Sequence, residues 1–528
     1  MENKLCNKSV ISKFALSKAQ LIGLLFLCLP ICLQIFDTYY VLKERQFNSW
    51  NPNKMSLLFL LGSVFVLLSL LIVSVYTIKK NIKIHNLYFF SILIFGLVYM
   101  LVFLPFTVPD ELAHYASAYK MSNYFLFNFD QADQKNVIMR ESDKFFFEKV
   151  FSHVQSADYY RILQQRMGLF STENALSEIT YPTAIKNAPF GYVVSAIAIT
   201  ISRIFRLSPV LTFYSGRIFN LFAYTAMTYF AIKRIPYGKM AIFAISMLPM
   251  TLHLVCSYSY DFLAISTAML FISQVLYMRE KKTAITFIDI LFCSLWGIIL
   301  APTKLVYTPI LLFVFIIPKE KFNMSAKKAF LCKSAIFLAG AICLLVFQGT
   351  RAASVTTNTV GGASGGAVYS VGWILENPLE TAKIFAKTIL NNSDAYIMSM
   401  AGGSLAWFQV NVGMTYYLPF YGVIIYCFLK RDNEVIGLDT ASKIWTFLVF
   451  VATYLLTLLS MFVAWTDMGK TTIQGIQGRY FLPMILLVCF VARNKIVTIK
   501  NHGDKYMIIF IWFWQVFVLM EYFVSSFI

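Results

Sequence analysis

Apolar runs long enough to cross a membrane, about 17–25 residues each, recur along almost the whole of this 528-residue chain, and nothing else in the sequence constrains its fold so strongly. Within lipid, a backbone must satisfy its own hydrogen bonds, which leaves helices and closed barrels. The runs fall near 15–36, 56–78, 87–106, 208–232, 239–257, 260–278, 284–302, 304–317, 334–348, 414–429, 444–464, 481–493 and 506–527. They predict about thirteen spans, several of them short. With 58% hydrophobic and 13% charged residues and a mean hydropathy of +0.66, the chain is too apolar for a soluble fold. The expected architecture is all-α: a polytopic transmembrane helical bundle forming one integral membrane domain over 1–528.

A net charge of +19 would suit nucleic acid if it were gathered on one surface. Instead the basic residues cluster in short loops on alternate sides of the runs: Lys79, Lys80 and Lys83; Lys233, Arg234 and Lys239; Arg279, Lys281 and Lys282; Lys319, Lys321, Lys327, Lys328 and Lys333; Lys430, Arg431 and Lys443; and Arg493, Lys495, Lys500 and Lys505. Lys4, Lys8 and Lys13 precede the first run, and Lys18 lies at its start. Basic loops stay in the cytoplasm, so the charge reads as topology, the N-terminus is expected inside, and no nucleic-acid partner is expected. Two long loops, 107–188 and 349–413, then face outward. The apolar segment 189–207 cannot be a full span without turning Lys233 and Arg234 outward, so it is expected to be a re-entrant or interfacial helix, with Arg203 and Arg206 at the outer surface. The first run has no small-residue cleavage site and reads as an anchor. The nine cysteines form no CxxC pair, and neither a disulfide framework nor a zinc site is expected.

The polar residues that need a reason lie at the outer ends of the runs. Asp110 and Glu111 stand where the run 87–106 gives way to the first long loop. Ionised groups near a bilayer are costly and mark functional candidates. The following segment, 109–127, is expected to be helical, and acids also suit a helix N-terminus behind a proline. On that helix Asp110 and His114 share a face at i and i+4, with Ser117 and Lys120 close by. Other outer-end groups are Arg217, Asp261, Lys304, Asp467, Lys470 and Arg479. Asp289 and Glu521 read as snorkelling or paired groups, and His85, His153, His253 and His502 have no ligand partner by spacing. The stretch 361–366 (GGASGG) matches no phosphate loop and reads as a flexible linker. Outer carboxylates suit a general base acting on an acceptor hydroxyl, and outer cations suit a phosphate leaving group. Arg479, flanked by Gln477, Gly478 and Tyr480 and followed by Phe481-Leu482-Pro483, is the best phosphate candidate.

Two blocks, PDExxH at 109–114 and GxQGRYFLP at 475–483, together with Tyr214-Ser215-Gly216-Arg217, Asn220, Leu248-Pro249-Met250 and 257–261, resemble a bacterial integral-membrane family labelled as being of unknown function and grouped with the GT-C glycosyltransferases. The resemblance runs from about 87 to about 490. It implies transfer of a sugar from a polyprenyl-phosphate donor to a polysaccharide or glycolipid acceptor of the cell envelope, at the outer face of a bacterial plasma membrane, with the bilayer itself as a partner. Asp110 matches the acidic residue of the first outer loop, with Glu111 as its partner or as a metal ligand and His114 completing the block. Arg217, Asp261 and Arg479 fall on other marked positions. The implied site has Asp110, Glu111 and His114 as catalytic residues; Arg479, Arg217 and Lys304 on the donor phosphate; and Asp261, Gln477 and Tyr480 nearby. No cofactor is implied with certainty; a divalent cation serves some GT-C enzymes and not others. Two spans precede the one leading to the PDE block, where many GT-C enzymes have one. A transporter or flippase of an envelope lipid precursor, and a non-catalytic scaffold of envelope assembly, are the competing readings.

Overall fold

A computed structural model describes residues 16–44, 51–132, 136–148, 163–164, 167–171, 175–181, 189–357, 363–432, 434–435, 437–494, 496–500 and 503–527. The N-terminal lysines Lys4, Lys8 and Lys13, most of the segment 149–188, His153, His502, and Gly361 and Gly362 lie outside them.

Among the described residues, seven helices are long and apolar enough to cross a membrane. These are α1 (Lys18–Glu44), α2 (Pro52–Lys79), α3 (Ile84–Val102), α9 (Asp261–Glu280), α11 (Ala326–Thr357, apolar to Gln348), α14 (Thr440–Trp465) and α16 (Gly503–Phe527). Burial sorts them: 94% of the apolar window of α9 is buried against 17% for α2, so α9 is an inner helix and α2 an outer one. The surplus apolar surface follows the same logic, with Phe26 on α1 and Phe65 on α2 more than 70% exposed. Surfaces of that kind suit lipid and not water.

The remaining runs take other forms, because length alone does not decide a helix. The 208–232 run is α6 (Pro209–Arg234), started by the Ser208 side chain, which accepts from Leu211 N, with Pro209 in the first turn. The 239–257 run breaks into α7 (Lys239–Ser246) and α8 (Pro249–Val255), with Pro249 again at a helix start. The 284–302 run is α10 (Phe287–Leu300), the 304–317 run is the 3-10 helix Leu305–Ile316 containing Pro309, and the 414–429 run is α13 (Met414–Phe428). The 481–493 run is the 3-10 turn Gly478–Phe481 followed by α15 (Ile485–Ala492). Asp289 and Glu521 are paired as expected: Asp289 caps α10 and meets Lys281 and Arg234 at 2.7 and 2.8 Å, while Glu521 accepts from Gln34 and Tyr416.

The two long segments 107–188 and 349–413 both contain helices, the first of them the one expected from the sequence. The first begins with α4 (Glu111–Phe125), the helix expected over 109–127, and is followed by α5 (Pro189–Ile204), the helix expected over 189–207, which packs on α4 and α6. Between them, β1 (Val137–Arg140) pairs antiparallel with β2 (Leu176–Ile179). Arg140 anchors that ribbon through Asp143 at 2.7 Å and the Thr212 hydroxyl on α6 at 3.0 Å, and Tyr119 on α4 donates to the same Asp143. The second segment contains α12 (Pro378–Met400) and a hairpin of β3 (Ser404–Leu405) and β4 (Val410–Asn411). Three elements from distant parts of the chain thus converge where α3 ends: the start of α4, the turn before α9, and the 478–481 turn.

Candidate functional site

Glu111 begins α4 and points into the protein rather than at its own helix. Its carboxylate accepts from Arg217 Nε at 2.8 Å and Nη2 at 2.6 Å, from Phe106 N at 2.8 Å and from Tyr258 N at 3.1 Å. Arg217 also donates to the carbonyls of Phe103 at 2.7 Å and Leu104 at 3.0 Å. Both side chains are fully buried. The sequence allows this close packing because Gly216 faces Tyr258: a Cβ there would lie 2.2 Å from the tyrosine hydroxyl oxygen. Here the structure parts from expectation. Arg217 turns its guanidinium to Glu111 and two carbonyls, with no surface left to face a donor phosphate, and Glu111 braces α4 against α6.

Asp110 has the opposite fate. Its backbone is left-handed (φ 63°), and its side chain makes no cap to α4. A non-glycine residue in that region is uncommon, and aspartate is among the few that tolerate it. The conformation swings the carboxylate away from the helix end to Arg479, whose Nη2 donates to it at 3.1 Å, and leaves the Asp110 side chain 52% exposed. The acid therefore does not serve the helix N-terminus, the ordinary duty the sequence offered for it.

Arg479 itself is buried and lies between two carboxylates, with Asp261 Oδ2 at 3.7 Å from Nη1. Asp261 also meets Lys304 Nζ at 2.8 Å. The ammonium of Lys304 sits 4.3 Å from the Tyr480 ring centroid and 5.2 Å from that of Tyr260, and the guanidinium of Arg479 is 5.4 Å from Tyr480. Cations over aromatic faces are attracted by the ring quadrupole. Gly478 lets this turn approach α12: a Cβ there would fall 2.3 Å from the Tyr396 carbonyl oxygen and 2.4 Å from Met400 N.

His114 lies one turn along α4, but its partner is not Asp110. Its Nδ1 is 2.9 Å from the Tyr192 hydroxyl on α5, and its ring meets Tyr260 edge-on. Burial holds the imidazole well below its usual pKa, at about 4, with Asp110 and Asp261 pulling it back up and Arg479 and Lys304 pushing it further down. It is neutral at neutral pH.

A narrow crevice runs beside Arg479, bounded by Pro109, Met250, His253, Ser399, Gln477 and the tip of the β3–β4 hairpin. It offers about 10 Å³, room for a single water. Two buried groups on it lack hydrogen-bond partners among the described residues: Arg479 Nε, and both ring nitrogens of His253. Buried polar atoms are nearly always satisfied, and exceptions need an explanation. His253 was missed by spacing because its neighbours in space come from elsewhere in the chain. The lip is made by Ala406, Trp407 and Phe408, consecutive residues with φ of 50°, 58° and 63°, and both aromatic side chains are nearly half exposed. Strained backbone of this kind gathers at functional sites.

Asp467 and Lys470 belong elsewhere, tied to the segment 364–369 through Ser364 N and the Tyr369 hydroxyl. The cation implied for some GT-C enzymes finds no fit: among the described residues no group of three or more His, Cys, Asp or Glu converges on one point, and the carboxylates of Asp110 and Asp261 face Arg479 and Lys304. Residues 93–488 match the family described as predicted membrane protein (DUF2142), and the chain belongs to that family, whose description names a membrane and no reaction. No curated protein and no solved structure matches the chain.

Proposed function

We propose that this DUF2142 member is a glycosyltransferase of the GT-C kind, which moves a sugar from a polyprenyl-phosphate donor to a hydroxyl of an envelope polysaccharide or glycolipid. On this reading the chain crosses a bacterial plasma membrane about thirteen times, the N-terminus and lysine-rich loops are cytoplasmic, and the Asp110 end faces outward. Asp110 takes the proton of the acceptor hydroxyl as its oxygen attacks the anomeric carbon. The carbon–oxygen bond to phosphate breaks on the opposite side, and polyprenyl phosphate leaves with the electron pair. Arg479, helped by Lys304, stabilises the leaving phosphate, and Gln477 and Tyr480 border the donor. Asp261 holds the two cations in place, and neutral His114 shapes the wall beside Asp110. Glu111 and Arg217 brace the site from behind.

The observation that carries this reading is the pairing of a half-exposed acid with a buried arginine whose Nε, together with the His253 ring, lies unpartnered on a crevice. A transporter asks for charges along its path near mid-membrane; here the cluster gathers at one end of α3 and α9. The test is transfer from radiolabelled polyprenyl-phosphate sugars by the purified chain, and envelope glycan composition by NMR in cells. Asp110→Asn should lower transfer by about 10²–10⁴-fold with the protein still folded and inserted, and one sugar should vanish from the glycan in both that strain and a deletion strain. Undiminished transfer by purified Asp110→Asn overturns the assignment.

A further inference from the structure

At the far end from Asp110 of α3, a helix about 28 Å long for nineteen residues at 1.5 Å each, lies a second cavity, of about 630 Å³. That length is close to the thickness of the hydrocarbon core, so the cavity and the Asp110 site sit at opposite ends of the bundle. Lysines reach it from separate parts of the chain: Lys79 at the end of α2, Lys80 and Lys83 in the turn between α2 and α3, Lys239 at the start of α7, and Lys505 on α16. Two carboxylates also line it, and each faces an arginine. Asp504 accepts from Arg431 at 2.7 Å, and Glu434 accepts from Arg493 at 2.7 Å. The arginines match these carboxylates, and Lys80, Lys83 and Lys239 add positive charge to the cavity. Lysines that merely orient a chain in a membrane have no need to converge on one hollow.

A second, smaller hollow of about 380 Å³ adjoins it, sharing Ile78 as a common wall. It is an apolar groove between the start of α1 and α16, lined by Leu24, Leu27, Ile509 and the Tyr506 ring. Gly23 opens its floor, since a Cβ there would meet nothing within 4 Å. A basic hollow beside an apolar groove has the two chemistries of one amphiphile.

We infer that the two hollows form a single site for an anionic phospholipid, with the phosphate among Lys80, Lys83 and Lys239 and one acyl chain along the groove beside Gly23. Basic pockets between membrane helices bind anionic headgroups in this way. A soluble phosphorylated ligand shares the phosphate chemistry but leaves the groove unused. The site stands apart from Asp110, and its test is independent of any transfer reaction.

The test uses the full-length chain in detergent, with retained lipid counted by native mass spectrometry during titration with phosphatidylglycerol, with phosphatidylcholine, and with inorganic phosphate as competitor. Wild-type protein should prefer phosphatidylglycerol, and phosphate should not displace it. At about five-fold per lysine, Lys80→Gln, Lys83→Gln and Lys239→Gln together should weaken phosphatidylglycerol on the order of a hundredfold and leave phosphatidylcholine unchanged. Gly23→Trp, on a different helix, fills the groove and should weaken both lipids. Equal retention of the two lipids by wild-type protein, or wild-type retention by the triple variant, overturns the site. Displacement by inorganic phosphate together with no effect of Gly23→Trp overturns the lipid in favour of a soluble phosphorylated ligand.

Discussion

Replacing Glu111 by glutamine is the sharpest test of how the site is built, because it keeps the shape of the side chain and removes its charge. The guanidinium of Arg217 would remain at 0% exposure with no opposite charge in contact. Removing one partner of a buried ion pair costs about 3–5 kcal/mol. A neutral hydrogen bond inside a helical membrane protein is worth only about 0.6 kcal/mol on average. Tyr99→Phe, which deletes the bond from the Tyr99 hydroxyl to Gln515 Oε1, is therefore the matched control. Unfolding of the purified protein by SDS or heat, followed by tryptophan fluorescence, should show Glu111→Gln losing several times the stability lost by Tyr99→Phe. The double change Glu111→Leu with Arg217→Leu should cost less than the sum of its single changes, because no lone charge remains. It should not restore wild-type stability, since Phe106 N, Tyr258 N and the Phe103 carbonyl lose these partners, at about 1–3 kcal/mol for each one left unsatisfied, while the Leu104 carbonyl keeps Thr107. If Glu111→Gln unfolds like Tyr99→Phe while transfer disappears, the bracing role is wrong and Glu111 acts at the reacting atoms.

The remaining expectations concern the same face. His114 has a folded pKa of about 4 against an ordinary 6.5, so between those values the unfolded chain binds more protons. Stability should be complete above pH 6.5 and fall by about 3 kcal/mol as the pH drops from 6.5 to 4; His114→Gln should flatten that slope, and an unchanged slope in the variant removes His114 as its source. Gly478→Ala forces a Cβ against the backbone of α12 and should cost about 1–3 kcal/mol while displacing Arg479, so that both thermal stability and transfer fall; wild-type values for both would show that the turn adjusts freely.

The long apolar helices were legible because a span is decided by its own composition: α1, α2, α3, α9, α14 and α16 overlap the runs read from the sequence. Where a run was interrupted, local chemistry decided against length. Pro249 starts a new helix in the middle of the 239–257 run, and Pro309 lies within the 3-10 segment that the 304–317 run becomes. The site was half legible. Asp110, His114, Asp261, Lys304 and Arg479 lie at the ends of runs, where charge attracts notice, and the structure gathers them on one face. Glu111 and Arg217 attracted the same notice, but they are 106 positions apart, and nothing local tells a reader that each is the other's counter-ion. His253 was illegible for the converse reason: a lone histidine in an apolar helix signals nothing until Arg479 and the hairpin tip arrive beside it.

The two adjacent acids explain each other. A left-handed backbone at a non-glycine residue costs on the order of 1–2 kcal/mol, and Asp110 gains little in return from a 3.1 Å ion pair that is open to solvent on one side. Left to itself, the aspartate would turn inward and cap α4, where a carboxylate is welcome. The next residue prevents this. Glu111 is fixed to α6 by Arg217 and to the Tyr258 backbone, and its hold on Phe106 N closes the turn 106–111. With both ends of that turn fastened, Asp110 is kept at its crest, facing Arg479. The buried acid thus determines where the exposed one stands, and a change at Glu111 is expected to disable Asp110 without touching it.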